Sequence, residues 1–225
     1  MNTQNGSSDH SKKVLPSDAL YDEASLVVLA GNPAISDEEQ ERLAATGSSA
    51  VYEALAANPC LNTVQQHFLS LNGSLEVKCK LAKNPSLALS IQWMFANGNT
   101  SEIWDALAAN PNLDQVCQPM LIQDSRGRWR SDLLIPLANN PALTEDMQLV
   151  ISNSVNMSVM ASLAKNPALS KSLMVLMSNC GLREILIGLA CNINLPEYLQ
   201  AKLVSSGNAE VLENFVRTRL SQFRR

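Results

Sequence analysis

From Leu29 to Leu195 the chain restates one short phrase of apolar and polar positions, Leu-Ala-x-Asn-Pro-x-Leu, seven times. The copies read LAGNPAI, LAANPCL, LAKNPSL, LAANPNL, LANNPAL, LAKNPAL and, without its proline, LACNINL. Their asparagines are Asn32, Asn58, Asn84, Asn110, Asn140, Asn166 and Asn192, separated by 26, 26, 26, 30, 26 and 26 residues. A fixed period of this length marks a tandem array of one supersecondary unit. The fourth copy carries four extra residues.

Counting each unit from its asparagine as position one gives the buried pattern. Position four is Ile35 in the first unit and leucine in all others. Position twelve is Leu43, Leu69, Phe95, Leu121, Ile151, Met177 and Leu203. Position eight between them is apolar in later units, as Ile91, Cys117, Met147, Leu173 and Leu199. A spacing of four puts all three on one face of a helix, helix A. Glycines 47, 73, 98, 181 and 207 follow near position sixteen, where the left-handed conformation they tolerate ends a helix. A shorter helix B then carries Val51, Val77, Ile103, Leu133, Val159, Ile185 and Val211, with leucine or Phe215 one turn later. In six units an alanine follows that leucine, small enough to let helices approach closely. The pattern predicts an all-α chain, a right-handed α-α superhelix (solenoid) of about 26-residue two-helix repeats spanning residues 18–225.

The Asn-Pro pair reads as the corner between helix B and the next helix A. Proline cannot continue helix B and pushes the residue before it to extended geometry. Asparagine is a good N-cap and proline is favoured at the first helical position. The seven asparagines are therefore expected to cap helix A, and their spare N–H groups are placed to reach carbonyls of the adjacent unit as a ladder along the stack.

The phrase V-x-x-x-L-A-x-N-P-x-L resembles the bacterial variant leucine-rich repeat, an all-helical solenoid distantly related to HEAT-type stacks. The resemblance covers about residues 20–216 and implies architecture rather than activity. The unit here is longer than the family's. A founding member of that family has an N-terminal cysteine cluster holding iron and sulfur; no cysteine precedes Cys60 here, so no cofactor is expected.

Composition narrows the function. The 225 residues are 46% hydrophobic but only 4% aromatic, which suits thin layers of helix on helix. A net charge of −4 disfavours a general nucleic-acid binder. Cys60, Cys79, Cys117, Cys180 and Cys191 are odd in number and form no C-x-x-C pair, so they read as packed thiols in a reducing cytoplasm. His10 and His67 alone are too few for a metal centre, and His67 reads as a lone surface or half-buried side chain. Residues 1–17 read as a disordered polar tail with no secretory h-region, and no stretch is apolar enough to span a membrane.

No nucleotide-loop, zinc-helix or nucleophile-elbow motif is present, so no enzyme is expected. Acids recur at position nineteen as Glu76, Glu102, Asp132, Glu184 and Glu210. They read as first-turn residues complementing the helix dipole and as a negative stripe for a basic peptide. The unit-four insertion, QDSRGRWRSD, gathers Arg126, Arg128, Trp129 and Arg130 on an expected loop tip, the residue types that anchor interfaces. The competing reading folds the tryptophan onto a neighbouring unit and leaves the arginines solvated. The C-terminal VRTRLSQFRR reads as a cap, with Val216, Leu220 and Phe223 covering the open end. The expected function is a protein-binding scaffold or adaptor acting through one solenoid face and this loop. Alternatives are a nucleic-acid-binding HEAT-like stack and a secreted bacterial effector that acts by binding.

Overall fold

In a computed structural model the described residues are 22–123 and 129–222, and they are all-helical. Two kinds of helix alternate. The odd members are α1 (Glu23–Ala30), α3 (Ser49–Ala57), α5 (Leu75–Lys83), α7 (Ser101–Ala108), α9 (Leu134–Asn139), α11 (Met157–Lys165), α13 (Arg183–Ala190) and α15 (Ala209–Gln222). The even members are α2 (Asp37–Ala44), α4 (Thr63–Asn72), α6 (Leu89–Ala96), α8 (Cys117–Ile122), α10 (Glu145–Ser152), α12 (Lys171–Asn179) and α14 (Glu197–Ser205). Each odd helix packs on the odd helix before it, and from α2 to α8 each even helix does the same. One apolar core runs between the rows from Ala30 to Val211. The sequence columns line it: positions four and twelve, and the valine and leucine of helix B, are buried throughout units one to six. So is the alanine after that leucine, fully enclosed from Ala56 to Ala190. Helices α11 and α13 approach closely: a Cβ on Gly188 would lie 2.5 Å from the Ala161 carbonyl oxygen.

The glycines after helix A divide into two groups. Gly47, Gly181 and Gly207 have φ near +70°, as expected. Gly73 does not: its backbone is extended, and a Cβ there would come within 2.6 Å of both the Leu69 oxygen and Val77 Cγ1. Space, not handedness, requires glycine at that turn. Gly98 also lacks a positive φ.

The Asn-Pro corner differs from the expectation. Asn58 ends α3, and α4 starts only at Thr63 with Asn62 as its N-cap. Between them Asn58, Pro59, Cys60 and Leu61 form a turn closed by Leu61 N–H donating to Asn58 O at 3.1 Å. Helix A is instead capped from position five, by Ser36, Asn62, Thr144 and Ser170 side chains. The reason is that the position-one amide is fully committed elsewhere. Asn58 Nδ2 donates to Ala30 O and Asn32 O, both at 2.9 Å, while its Oδ1 accepts from Cys60 N–H at 2.9 Å. Asn84, Asn110, Asn140, Asn166 and Asn192 repeat this three-bond pattern, and all are buried. Asn32, the first, is exposed and accepts from Ala34 N–H. The ladder exists; the capping role does not.

A second ladder runs the other way. Position nine is glutamine in six units: Gln40, Gln66, Gln92, Gln118, Gln148 and Gln200. Gln66 Nε2 donates to Leu61 O at 2.8 Å in its own unit and to Ser86 O at 2.9 Å in the next, and Oε1 accepts Ala88 N–H at 2.8 Å. Gln92, Gln118 and Gln148 do the same, and Gln40 clasps Cys60 O and Asn62 N–H. Asparagine thus grips the turn behind, and glutamine, one methylene longer, grips the turn ahead. The sixth unit has Met174 instead. Its counterpart ahead is Pro196, which has no N–H to offer, so acceptor and donor are lost together. Beyond unit seven Arg219 takes over, its Nη2 donating to Asn192 O at 3.2 Å and Nη1 to Ile193 O at 3.0 Å. The expected apolar cap is different: Val216 and Leu220 are exposed, Phe215 packs against the core, and Phe223 lies outside the described residues, as does the polar tail 1–17.

The ladder dictates how substitutions behave. Asn110→Ala should cost about 2–4 kcal/mol, because it removes three bonds and leaves buried backbone groups unpaired. Asn110→Asp should cost at least as much, since a carboxylate only accepts and would face two carbonyl oxygens. Urea unfolding of both variants checks this; a clearly milder Asp would mean the acceptor side carries the corner. At the unit-six junction, Met174→Gln and Pro196→Ser should be non-additive. The pair together should be about 1–2 kcal/mol more stable than the two single changes sum to, read from a double-mutant cycle.

Candidate interaction surfaces

The ladders leave three surfaces to consider: the unit-four loop, the odd-helix face and the even-helix face. At the loop, α8 is short and followed by an isolated antiparallel bridge between Gln123 and Trp129. Chain return is completed by a 3-10 turn, Ser131–Leu133, before α9, whose Pro136 lies in the first turn where no N–H is needed. The extra residues do not disturb the ladder, because Asn140 still reaches Ala108 O and Asn110 O.

The cluster expected at the loop tip divides. Arg126 and Arg128 lie outside the described residues. Arg130 is not at a free tip: its guanidinium carbon sits 3.6 Å from the Trp104 ring centroid, and Nη1 donates to Met120 O at 2.9 Å. Its backbone N–H donates to Ile122 O at 2.8 Å. Arg130 therefore ties the chain just before the 3-10 turn to α7 and α8, and Trp104 is held in turn by Nε1–H donating to Phe95 O. Trp129 is the exposed member, 54% accessible, and it borders a cleft of about 330 Å³ with Leu134, Val150, Ile151 and Val155. Of the two sequence readings the structure takes neither whole: an arginine folds back and the tryptophan stays out.

On the odd-helix face, Glu76, Glu102, Glu184 and Glu210 lie in first turns, and Asp132 lies in the 3-10 turn, as the dipole reading expects. Glu210 is taken by an ion pair with Arg183. Sequence reasoning missed Asp105, one turn along from Glu102. Partial burial, with Asp132 and Glu102 nearby, raises its carboxyl above the ordinary aspartate value. Glu102, Asp105 and Asp132 thus form one acidic cluster at units three and four. Next to it, between α1, α3 and α5, lies a trough of about 550 Å³ floored by Ala50, Ala54 and Ala57. The Lys80–Glu53 ion pair, at 2.7 Å, lies on its rim.

On the even-helix face charge is unevenly placed. Helices α4, α6 and α8 contain no Asp, Glu, Lys or Arg, although α2 beside them carries Asp37, Glu38, Glu39 and Glu41. Exposed on this uncharged stretch are Val64, Leu71, Leu89 and Trp93, with Val116 at the start of α8. Position ten is exposed and holds no Asp, Glu, Lys or Arg for six units: His67, Trp93, Pro119, Leu149, Val175 and Ala201. The signal was in the sequence as missing charge, which a search for motifs passes over.

The thiols also depart from the expectation of packed side chains. Cys117 is buried, and burial pushes its thiol up to about 11. Cys60 and Cys180 are exposed, and Cys79 and Cys191 are half-buried. Among the described residues no group of three or more His, Cys, Asp or Glu is placed to hold a metal ion, and no helix is long and apolar enough to cross a membrane. In comparison with known proteins, no family model, curated protein or solved structure matches the chain.

The two loop residues should separate in unfolding experiments. Arg130→Ala should cost about 1–2 kcal/mol through the lost stacking on Trp104 and the lost bond to Met120 O. Trp129→Ser should stay within about 1 kcal/mol of the parent, since its ring is half in solvent. Equal losses would mean that Trp129, too, carries packing energy.

Proposed function

We propose that the chain is a non-catalytic scaffold, a right-handed α-α solenoid of 26-residue repeats that binds a protein partner through an exposed face. The observation that carries this reading is the division of labour among polar groups. The recurring amides are spent on backbone carbonyls and N–H groups of neighbouring units. The charged groups are spread along a surface row rather than gathered around one cleft. Such an arrangement fixes a long surface and, among the described residues, brings no acid, base and nucleophile together. The resemblance to variant leucine-rich repeats, carried by the Leu-Ala-x-Asn-Pro-x-Leu phrase, supports the same architecture. Free thiols in odd number suit a reducing cytoplasm.

Nucleic-acid binding is the weaker reading. Arg130 is committed to Trp104 and Met120, which leaves that reading Arg126 and Arg128, while Glu102, Asp105 and Asp132 would repel phosphate. An affinity capture with the immobilised chain separates the two. The scaffold reading expects a protein retained after nuclease treatment and in 0.5 M salt (roughly a 4 Å Debye length). It also expects no retention of the chain on heparin at about 0.15 M salt. Nuclease-sensitive capture together with heparin retention would overturn it.

A further inference from the structure

We infer that α14 and α15 form a flap that opens as one unit about residues 193–196, with Arg219 as its latch. Three observations at this end of the stack carry it. The first is the absent clasp. In units one to five a glutamine ties each even helix to the turn ahead. Met174 has no amide to do so, and Pro196 has no N–H to receive one. What ties α14 to α12 by a polar contact is Lys202, whose Nζ donates to Ser178 Oγ at 3.1 Å and to Asn179 Oδ1. Arg183 and Glu210 pair between α13 and α15. Both Lys202 and Arg183 are exposed, and exposed charged contacts hold weakly.

The second observation is the turn. The other six asparagines are followed by proline, which restricts the chain; here Ile193 follows, and α14 begins at Pro196 with no side-chain cap. The third is the latch. Arg219 reaches from α15 to this turn, where Nη2 donates to Asn192 O and Nη1 to Ile193 O. Its Nε is buried without a hydrogen-bond partner, the one such side-chain nitrogen or oxygen among the described residues. Closure therefore leaves a donor of a charged group dry, and opening returns it to water.

Behind the turn the stack is firmly held. Asn192 keeps its three bonds, and Gly188 lets α13 lie close against α11. The line of opening thus falls after Asn192. The opposite end of the even row provides the contrast. Helix α2 is also terminal, yet Gln40 clasps Cys60 O and Asn62 N–H, and Asp37 accepts from Asn62 Nδ2 at 3.0 Å. A plain end effect would loosen α2 and α14 alike, whereas a hinge at residues 193–196 loosens α14 and α15 alone. Opening bares the sides of α12 and α13 on which α14 and α15 pack. It also frees the half-buried Cys191 thiol, which donates to Asn214 Oδ1 of α15 at 3.8 Å.

The test is native-state hydrogen exchange of the intact chain, read helix by helix by mass spectrometry. Amides of α14 and α15 should exchange together, with protection at least about 10-fold below that of α2 and α13. A thiol reagent should modify Cys191 at a rate that follows this opening. The paired change Met174→Gln with Pro196→Ser restores both halves of the clasp and should raise protection of α14 about 10-fold. Arg219→Ala should lower protection of α14 and α15 together and speed Cys191 modification, and Arg219→Lys should fall between it and the parent. Unchanged exchange of α3 to α11 in each variant shows that the remaining stack is intact. Protection of α14 equal to that of α2 and α13 would overturn the flap. Loss of protection in α15 without α14 would reduce it to fraying of the last helix. Joint opening that ignores both the Met174/Pro196 pair and Arg219 would overturn the hinge and latch assigned here.

Discussion

A backbone carbonyl turned into the dry seam between two helical layers needs a donor, and an unpaired one costs as much as a lost hydrogen bond. Every turn from odd to even helix in this chain creates such groups. A corner has no i+4 partner for the last carbonyls of the outgoing helix, and it is buried beneath the next unit. Asn58 and its successors answer this with two N–H bonds backwards and one acceptor bond forwards. Gln40 and its successors, reaching from the even helix, close the turn ahead. Each corner is thereby held from both sides, and each hold depends on a neighbouring unit being in place. Cohesion is nearest-neighbour and cumulative, as in repeat proteins generally.

That dependence explains what happens where the pattern stops. At Met174 a glutamine would aim its oxygen at Pro196, which has no hydrogen to give, so an apolar side chain facing an imide nitrogen is the consistent alternative. At the far end Asn192 O and Ile193 O would face solvent or an orphaned seam, and the Arg219 guanidinium supplies the missing donors in place of an eighth amide. The seam also explains why unit four tolerates its insertion. Asn140 and Gln118 keep their bonds across the longer interval, and Arg130 stacks on Trp104 where the described chain resumes. Loop-length changes outside the seam are thermodynamically mild.

With the polar interior committed to the seam, the outward faces can vary from unit to unit. Among the described residues acids occur on helices of both rows, while α4, α6 and α8 carry no Asp, Glu, Lys or Arg. The first-turn acids serve the helix dipole, whereas the exposed apolar side chains of α4 and α6 bury nothing in the stack. Asp105 is even held in an environment that disfavours its charged form. A surface that departs from what stability asks is where binding is best sought.

The sequence by itself determined the all-helical class and the residues between the layers, because burial follows local periodicity and a side chain's face follows its position in the turn. Leu61, Leu69, Val77 and Leu81 could all be assigned to the core from spacing alone, and all are buried. It also held the glutamine column and the capping column at position five, though neither carries meaning without knowing which turn lies opposite. What tertiary structure decided was every choice among partners some 20–30 residues away in sequence. Asn58 is an excellent N-cap by local rules, yet two carbonyls of the preceding unit claim its amide and the capping passes to Asn62. Arg130 and Trp129 are adjacent and equally suited to a loop tip, but only Arg130 finds an aromatic face and a free carbonyl within reach. Hydrogen-bonding capacity is written in the residue; which of several competent partners receives it depends on the geometry of the packed neighbour, and that exists only once the units have stacked.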